Sequence, residues 1–286
     1  PKTTKKRLLN ILEKKINYLL IKNNKNIYKN LNKKEVRQTT FQEIFERNIV
    51  TKKNTFREKK TVYVIFTSGS TGKPKGCMID EDNIISFIKI WKKYFNLGKK
   101  SFNFSQLNPL YFDNFFFDFY ISLFNGSSLT VIDTSSTKSL FAVPDLIKRY
   151  KCDISFAVPS LIIFLLNFRI IKKKHFKDLK YLIFGGEGFP KKHLKDLWKI
   201  KNKGLINVYG PSECTCICSK HKVMKKDIFF EKEKFVSLGK ITDNFTYKIN
   251  KTNQELLLFG EGVGQGYLNN KKLKKKNFIY KKNKIL

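Results

Sequence analysis

Hydrophobic and polar positions along the chain alternate between two periods, one typical of strands and one typical of helices. Short runs of β-branched and aromatic residues predict strands, and the longer amphipathic stretches between them predict helices. The predicted strands are 61–66, 129–132, 154–157, 181–184 and 205–208, and the predicted helices are 80–94, 144–149, 159–167 and 191–199. Because this alternation favours a parallel-rich sheet covered by helices, the pattern predicts an α/β fold.

Three of the predicted strands end at loops of unusual composition, which span 67–76, 185–189 and 209–213. In open α/β sheets, ligands bind at the carboxyl edge of the strands, among loops and helix N-termini. We therefore expect these three loops to form the functional site.

The charge of the chain does not by itself identify a partner. The 286 residues include 58 Lys and Arg against 23 Asp and Glu, a formal net charge of +35. Such an excess is typical of nucleic-acid-binding proteins, but neither an RNA-binding aromatic signature nor a zinc-finger spacing accompanies it. We attribute the charge to a codon bias that enriches Lys, Asn, Ile, Phe and Tyr together, and we expect no nucleic acid partner. A basic nucleic-acid-binding module is kept as a remote alternative.

Hydropathy and cysteine content bear on the cellular compartment. The sequence shows no signal peptide and no apolar stretch long enough to span a membrane. Its five cysteines do not suggest a disulfide framework in a chain of this size. We therefore expect a cytoplasmic protein without a membrane span.

The loop at 67–76 has the sequence TSGSTGKPKG and follows a hydrophobic strand. Glycines let backbone N–H groups approach an anion closely, hydroxyls add donors, and lysines add positive charge. This composition predicts a phosphate-binding loop. It is not the Walker pattern, because no Ser or Thr follows a Gly-Lys pair.

This loop resembles the phosphate-loop signature of the adenylate-forming (AMP-binding) superfamily of acyl- and aryl-CoA ligases, amino-acid adenylation domains and luciferase-like enzymes. Three further segments resemble motifs of that family in the same order: GGE at 185–187, NVYGPSE at 207–213 and ELLLFGEGVGQGY at 255–267. In the last, Gln254 stands where the family usually has Gly. The resemblance covers essentially the whole chain. It implies part of the large N-terminal domain of that fold and ATP-dependent adenylation of a carboxylate.

The resemblance also implies ATP and Mg²⁺ as cofactors and assigns a role to each motif. The residues implied to hold the β- and γ-phosphates are Thr67, Ser68, Gly69, Ser70, Thr71, Gly72, Lys73 and Lys75. Tyr209 would stack on adenine, with Asn207 or the Gly185 and Gly186 backbone at its edge. Glu187 and Gly210 belong to the same nucleotide-binding motifs. Ser212 would donate to the α-phosphate, and Glu213 would coordinate Mg²⁺ through a hard oxygen.

The run YFDNFFFDFY at 111–120 bears on the substrate. Asp113 lies in an aromatic stretch that at helical spacing would be largely buried, and a buried carboxylate needs a partner. In the amino-acid-activating members that the sequence resembles, an F-D element here supplies the Asp that pairs with the substrate α-ammonium. The resemblance is therefore closest to D-alanine–carrier-protein ligases and peptide-synthetase adenylation modules. It implies an amino acid substrate and a phosphopantetheine carrier protein as partner.

Three alternatives stay open at this point. Asp113 could cap the helix predicted at 114–124 instead of binding substrate. Asp118 is a rival for the same role. The substrate could also be a fatty or aryl acid, with coenzyme A as the acceptor.

The cysteines near the third loop follow a C-x-C-x-C pattern. Cys214, Cys216 and Cys218 alternate with Thr215 and Ile217, so on a strand they would share one face. No second Cys or His pair stands at zinc-ligand spacing, and we predict a pocket wall of small residues rather than a metal site. By the resemblance, Cys216 lies beside the substrate side chain.

The family's later motifs are not found in the sequence. A T-G-D that would bind ribose, a hinge motif and a small C-terminal domain with its catalytic lysine do not appear before Leu286. We therefore expect 1–286 to be an incomplete large domain, with an α/β core over about 1–225 and a β-rich segment with a basic tail over about 226–286. On that expectation, the chain alone has adenylation activity near background.

Overall fold

The computed structural model describes residues 18–21, 37–40, 61–68, 74–134, 137–229, 233–278, 280–281 and 284–285. The strands of the described residues are β1 Tyr18–Ile21, β2 Arg37–Thr40, β3 Thr61–Ser68, β4 Pro74–Asp80, β5 Asn103–Gln106, β6 Ser128–Val131, β7 Ile154–Ala157, β8 Tyr181–Gly185, β9 Leu205–Tyr209, β10 Ser219–Lys222, β11 Lys240–Ile241, β12 Phe245–Ile249, β13 Leu256–Gly260, β14 Gly266–Tyr267, β15 Tyr280–Lys281 and β16 Lys284–Ile285. The helices are α1 Glu81–Phe95, α2 Asn114–Leu123, α3 Thr137–Arg149, α4 Pro159–Asn167, α5 Lys191–Ile200, α6 Lys226–Phe229 and α7 Lys271–Asn277, with short 3₁₀ helices at Lys173–Phe176 and Ser212–Cys214.

A seven-stranded sheet organises the α/β part, in the order β11-β10-β9-β8-β7-β5-β6. The strands from β9 to β6 pair in parallel, and β10 and β11 continue the sheet antiparallel at one edge. The predicted parallel-rich sheet is therefore confirmed. Its central strands are mostly apolar and buried because helices cover both faces, as in β7, whose four residues are all buried.

Alternation along β8 shows how the two faces are filled. Leu182 and Phe184 pack with α3, α4 and α5 in one core cluster, whereas Ile183 packs with α1 and α2 in the other. Successive residues of a strand point to opposite faces of the sheet. The α3, α4 and α5 helices therefore cover one face, and α1 and α2 cover the other. The layer of α1 and α2 is rich in aromatic rings; Trp91, for example, is fully buried and meets Phe117 edge to face at 5.1 Å.

The helix predicted after Asp80 is confirmed as α1. The Asp80 side chain accepts a hydrogen bond from the Asn83 N–H at 2.9 Å, and the Asn83 side chain accepts one from the Asp80 N–H at 3.0 Å. This reciprocal cap satisfies two backbone donors that a helix start leaves without partners. The start predicted for α3 was wrong: the helix begins at Thr137, and Pro144 lies inside it.

The strand that precedes the phosphate loop lies outside the parallel sheet, contrary to expectation. β3 pairs antiparallel with β4, and β14 pairs with the other side of β4, which makes a separate three-stranded sheet. Among residues 61–67, Ile65 alone is buried, so β3 is not the buried strand that its composition predicts. The loop at 67–76 therefore connects the two strands of a hairpin, β3 and β4, rather than a strand and a helix.

The remaining β structure follows the main sheet in sequence. β12 and β13 form a two-stranded antiparallel unit, with Phe245 paired to Gly260 and Ile249 to Leu256. Among the described residues, no helix combines the length and the apolar character that a bilayer crossing requires.

Candidate functional site

Long-range hydrogen bonds bring the sequence motifs together beside the carboxyl ends of β8 and β9. Ser212 Oγ donates to Asp113 Oδ2 at 2.6 Å, which joins residues 99 apart in sequence. Cys216 Sγ lies 3.8 Å from Asn114 Oδ1. A Cβ placed on Gly186 would lie 3.4 Å from Asn114 Nδ2. The loops after β8 and β9 thus converge on the first residues of α2.

Asp113 presents a partly buried carboxylate at this junction. Burial raises the pKa of its carboxyl; the hydrogen bond from Ser212 and backbone amides at Asn114 and Asp113 oppose that shift, and the charge of Glu213 adds to it. Among the described residues, no Lys or Arg forms an ion pair with it. Asp113 precedes α2 but makes no side-chain capping bond to it. The helix-cap alternative therefore has no geometric support.

The rival carboxylate, Asp118, lies in the core. It is fully buried, its Oδ2 accepts a hydrogen bond from Asn108 Nδ2 at 3.2 Å, and its Oδ1 has no partner. Burial raises the pKa of Asp118 well above its ordinary value, more than the Asn108 hydrogen bond lowers it. Asp118 is closed off from solvent in the core, whereas Asp113 lies where the loops after β8 and β9 meet α2, so Asp113 is the better candidate.

Glu213 is held by Tyr267, whose part in the site the sequence did not reveal. Tyr267 OH donates to Glu213 Oε1 at 2.7 Å and accepts from Asn277 Nδ2 at 3.2 Å. The Gly264 N–H donates to the backbone oxygen of Glu213 at 2.7 Å. The other carboxylate oxygen, Oε2, receives no hydrogen bond from the described residues, so it is the one available to a ligand.

Lys75, at the end of the phosphate loop, lies beside the tyrosine that holds this carboxylate. Its Nζ lies 5.7 Å from the centroid of the Tyr267 ring, and it makes no ion pair with a described carboxylate. Thr67 pairs with Lys75 across β3 and β4, which places both described ends of the loop together. Gly69, Ser70, Thr71, Gly72 and Lys73 lie outside the described residues, and Ser68 is described only by its strand backbone.

The glycine-rich ends of β8 and β9 allow close backbone approach. A Cβ on Gly185 would lie 2.4 Å from the Val208 carbonyl oxygen, and one on Gly210 would lie 2.3 Å from the Cys216 carbonyl oxygen. Tyr209, between these two strand ends, is partly buried, and burial is the first cause that raises the pKa of its phenol. Larger residues would push the neighbouring backbone apart, so the motif geometry itself requires glycine here.

Asn207 is buried and bonds a backbone carbonyl, whereas Glu187 is exposed and bonds the start of a helix. The Asn207 amide donates from Nδ2 to the Ser237 carbonyl at 2.8 Å, while its Oδ1 is buried without a partner. Glu187 is exposed and accepts from the N–H and hydroxyl of Ser160 at 3.1 and 3.2 Å, at the N-terminus of α4. Its carboxylate thus stabilises a helix start, a contact that sequence motifs do not encode.

The three clustered cysteines do not share a face, contrary to the strand interpretation. Thr215 and Cys216 have φ values of 49° and 72°, in the left-handed region, so no strand runs through them. Cys214 and Cys218 pack with Phe245, whereas Cys216 packs in the cluster of α1 and α2. Burial raises the pKa of the Cys216 thiol well above its ordinary value, and the nearby Asp113 and Asp118 add to the shift. No group of three or more metal-ligating side chains occurs among the described residues.

A family model and the curated relatives of this chain point to the same family. The model of the family described as AMP-binding enzyme matches residues 3–268. Bacitracin synthase 2 of Bacillus licheniformis is 31% identical over 230 residues, which are 76% of this chain and 9% of that protein. An L-proline–[L-prolyl-carrier protein] ligase of Streptomyces coelicolor is 30% identical over 167 residues, 58% of this chain and 31% of that ligase. This chain therefore spans less than a third of either curated relative.

A solved structure shows the same fold at low sequence identity. The N-terminal subdomain of NpsA from Klebsiella oxytoca, in complex with 3-hydroxybenzoyl-AMSN, superposes with a TM-score of 0.81 at 14% identity. The match covers 99% of this chain and 73% of that one.

Proposed function

The chain belongs to the AMP-binding enzyme family and has the fold of an adenylation-domain N-terminal subdomain, and from this premise we propose that it activates an amino acid with ATP. An oxygen of the substrate carboxylate attacks the α-phosphorus of ATP, the bond to the leaving pyrophosphate breaks, and an aminoacyl-adenylate forms. Carboxylate and triphosphate are both anionic, so catalysis depends on charge neutralisation and positioning.

The observation that supports an amino acid over a plain acid is the Asp113 carboxylate. It lies partly buried beside Ser212, the residue of the motif assigned to the α-phosphate, and no described cation neutralises it. A substrate α-ammonium would supply the missing charge, and a carboxylate of this kind would bind a fatty or aryl acid poorly. Ser212 has a single hydroxyl proton, which it gives to Asp113 here. With the substrate ammonium on Asp113, that proton would be given to the α-phosphate instead.

The site residues fit ATP by their chemistry. Lys75 has no ion pair with a described carboxylate, which leaves its charge for phosphate. The buried, unpartnered Asn207 Oδ1 is an acceptor suited to an exocyclic amine such as that of adenine. Tyr209 would stack on the base, with the backbone of Gly185 and Gly186 at its edge and Gly210 permitting close approach.

Mg²⁺ would bind at Glu213. Tyr267 occupies one carboxylate oxygen and leaves the other for the metal. Mg²⁺ commonly takes one or two carboxylates and completes its shell with substrate phosphates and water, so a single carboxylate is sufficient. The ion would neutralise phosphate charge and orient the triphosphate.

The acceptor we propose is the phosphopantetheine thiol of a carrier protein. The thiolate would attack the acyl carbon, and AMP would leave. The support is similarity to a relative whose name includes a prolyl-carrier protein. All five cysteines are free thiols, which suits the reducing environment of the cytoplasm, where we place the reaction.

Amino-acid-dependent ATP–pyrophosphate exchange on the full-length protein tests this function. A panel of amino acids is compared with the matching acids that lack the amino group. We expect exchange with one or a few amino acids and little with their deamino analogues. Exchange that favours the deamino acids, or a requirement for coenzyme A as acceptor, would replace this proposal with an acyl- or aryl-CoA ligase.

A further inference from the structure

A basic cleft lies at the amino ends of the central strands of the main sheet, whereas the site described above lies at their carboxyl ends. Its volume is about 1110 Å³, and the described residues that line it precede β7, β8 and β9. The motif residues Gly186 and Gly210 follow the other ends of β8 and β9. Each of these strands has five residues, which at about 3.3 Å per residue separates the two places by roughly 15 Å or more.

Lysines from three separate segments converge on this cleft. Seven of its thirteen described lining residues are lysines: Lys151 after α3, four between 173 and 180, and Lys201 and Lys203 after α5. Lys180 pairs with Asp153 at 2.8 Å, and the other six make no ion pair with a described carboxylate. The one further acidic residue among the described lining residues is Asp178. The described lining therefore holds seven lysines against two aspartates, a concentrated excess of positive charge.

Lys201 distinguishes this cleft from an ordinary solvated surface. Its side chain is only 7% exposed, and its Nζ donates to the Leu179 carbonyl at 2.7 Å, without a carboxylate partner among the described residues. Burial lowers the pKa of Lys201 to about 8. A buried ammonium that lacks a counter-charge is costly, and an anion bound in the cleft would stabilise its charged form.

We propose that this cleft binds a short condensed phosphate, of the pyrophosphate or tripolyphosphate type, separately from the ATP site. Lysines are flexible point charges that suit a compact polyanion. Single-stranded nucleic acid binding combines charge with exposed aromatic rings on which bases stack. Phe176 is the one aromatic ring among the described lining residues, and it is buried. The chemistry therefore favours an oligophosphate over a nucleic acid.

Isothermal titration with sodium tripolyphosphate tests the proposal. The full-length protein carries Lys75→Ala in every sample, which weakens the other proposed phosphate site. The cleft variant adds Lys173→Gln, Lys174→Gln and Lys177→Gln, three exposed lysines whose loss leaves the core untouched. We expect tripolyphosphate affinity to fall about tenfold or more, because three nearby charges are removed.

A matched control removes the same charge elsewhere. Lys89→Gln, Lys92→Gln and Lys99→Gln change exposed lysines of α1 and the loop after it, and we expect affinity to change less than about twofold. Thermal unfolding of both triple variants checks that they fold.

Proton uptake gives a second readout that general screening would not produce. Near the lowered pKa of Lys201, about 8, binding that raises this pKa takes up a fraction of a proton. Titrations in buffers of different ionisation enthalpy measure the net proton uptake, and we expect Lys201→Met to reduce it.

Three results would each overturn the proposal. One is an equal loss of affinity in both triple variants, which would indicate general screening. Another is no tripolyphosphate binding at millimolar concentration. The third is tighter binding of a single-stranded oligonucleotide with a matched number of phosphates, which would assign the cleft to nucleic acid. Since the ATP site is already weakened in all samples, none of these results depends on the adenylation activity.

Discussion

Replacing Asp113 by Asn tests amino-group recognition most directly. The substitution keeps the size of the side chain and an oxygen that can still accept the hydrogen bond from Ser212, made at 2.6 Å in the wild type. It removes the negative charge. Because Asp113 makes no capping bond to α2, we expect the thermal stability of the variant to stay close to that of the wild type.

The expected magnitude follows from the burial of this carboxylate. Removing one partner of a fully buried ion pair costs about 3–5 kcal/mol. Asp113 is only partly buried, so we take the lower end, about 3 kcal/mol, which corresponds to roughly two orders of magnitude in kcat/KM. The assay is amino-acid-dependent ATP–pyrophosphate exchange. With the deamino analogue of the preferred substrate, we expect a change of less than about threefold.

The pH dependence has a defined sign. Burial raises the pKa of the Asp113 carboxyl above its ordinary value, so the group takes up a proton as pH falls through that raised pKa. Wild-type affinity for the amino acid should fall over that range, while Asp113→Asn should show no such titration. Equal losses with the amino acid and its deamino analogue, or a large drop in melting temperature, would refute the recognition argument and favour a purely structural role.

The phosphate loop, the Glu213 carboxylate and the buried Asp118 each give a further test. Lys75→Ala with Thr71→Ala should weaken ATP binding about tenfold or more through lost charge-assisted contacts; unchanged affinity in calorimetry would contradict the phosphate-loop assignment. Tyr267→Phe removes the hydroxyl that holds Glu213 and should lower Mg²⁺-dependent ATP affinity about tenfold; the same loss without Mg²⁺ would argue against a metal role. Asp118→Asn should gain stability over the wild type as pH rises from about 4 to 7, because the raised native pKa of Asp118 disfavours its ionised form. Urea unfolding at both pH values measures this gain, and an equal difference at the two values would contradict it.

The central strands and their helices could be predicted because burial on both faces leaves a strong local signal. β7, β8 and β9 are mostly apolar runs bounded by polar segments, which is typical of a parallel sheet covered by helices. β4 escaped prediction for an equally physical reason. Its sequence, PKGCMID, begins with Pro and contains Gly76, two residues typical of loops. A Cβ on Gly76 would lie 2.9 Å from Val64 Cγ1 across the hairpin, so this glycine serves close packing rather than a turn.

The sequence supplies candidate residues for the site, but it does not supply their geometry. Local patterns cannot show that Ser212 binds Asp113, since that contact depends on how two distant segments cross the sheet edge. The cysteine pattern misled because period-two alternation implies a strand only when the backbone is extended. Thr215 and Cys216 instead adopt positive φ values, which β-branched and bulky residues seldom do.

The residues proposed to bind the amino group and those proposed to bind the nucleotide are held by different parts of the fold. Asp113 and Ser212 depend on the parallel sheet, where the start of α2 meets the end of β9. Lys75 and Tyr267 depend on the small antiparallel sheet, in which β14 pairs with β4 and places Tyr267 beside Lys75. Damage confined to β14 should therefore weaken nucleotide and metal binding while amino-group recognition persists. The Gly264–Glu213 backbone bond and the Tyr267–Glu213 side-chain bond connect the segment after β9 to the segment around β14, so Glu213 is the point at which the proposed ATP site and the proposed amino acid site would meet.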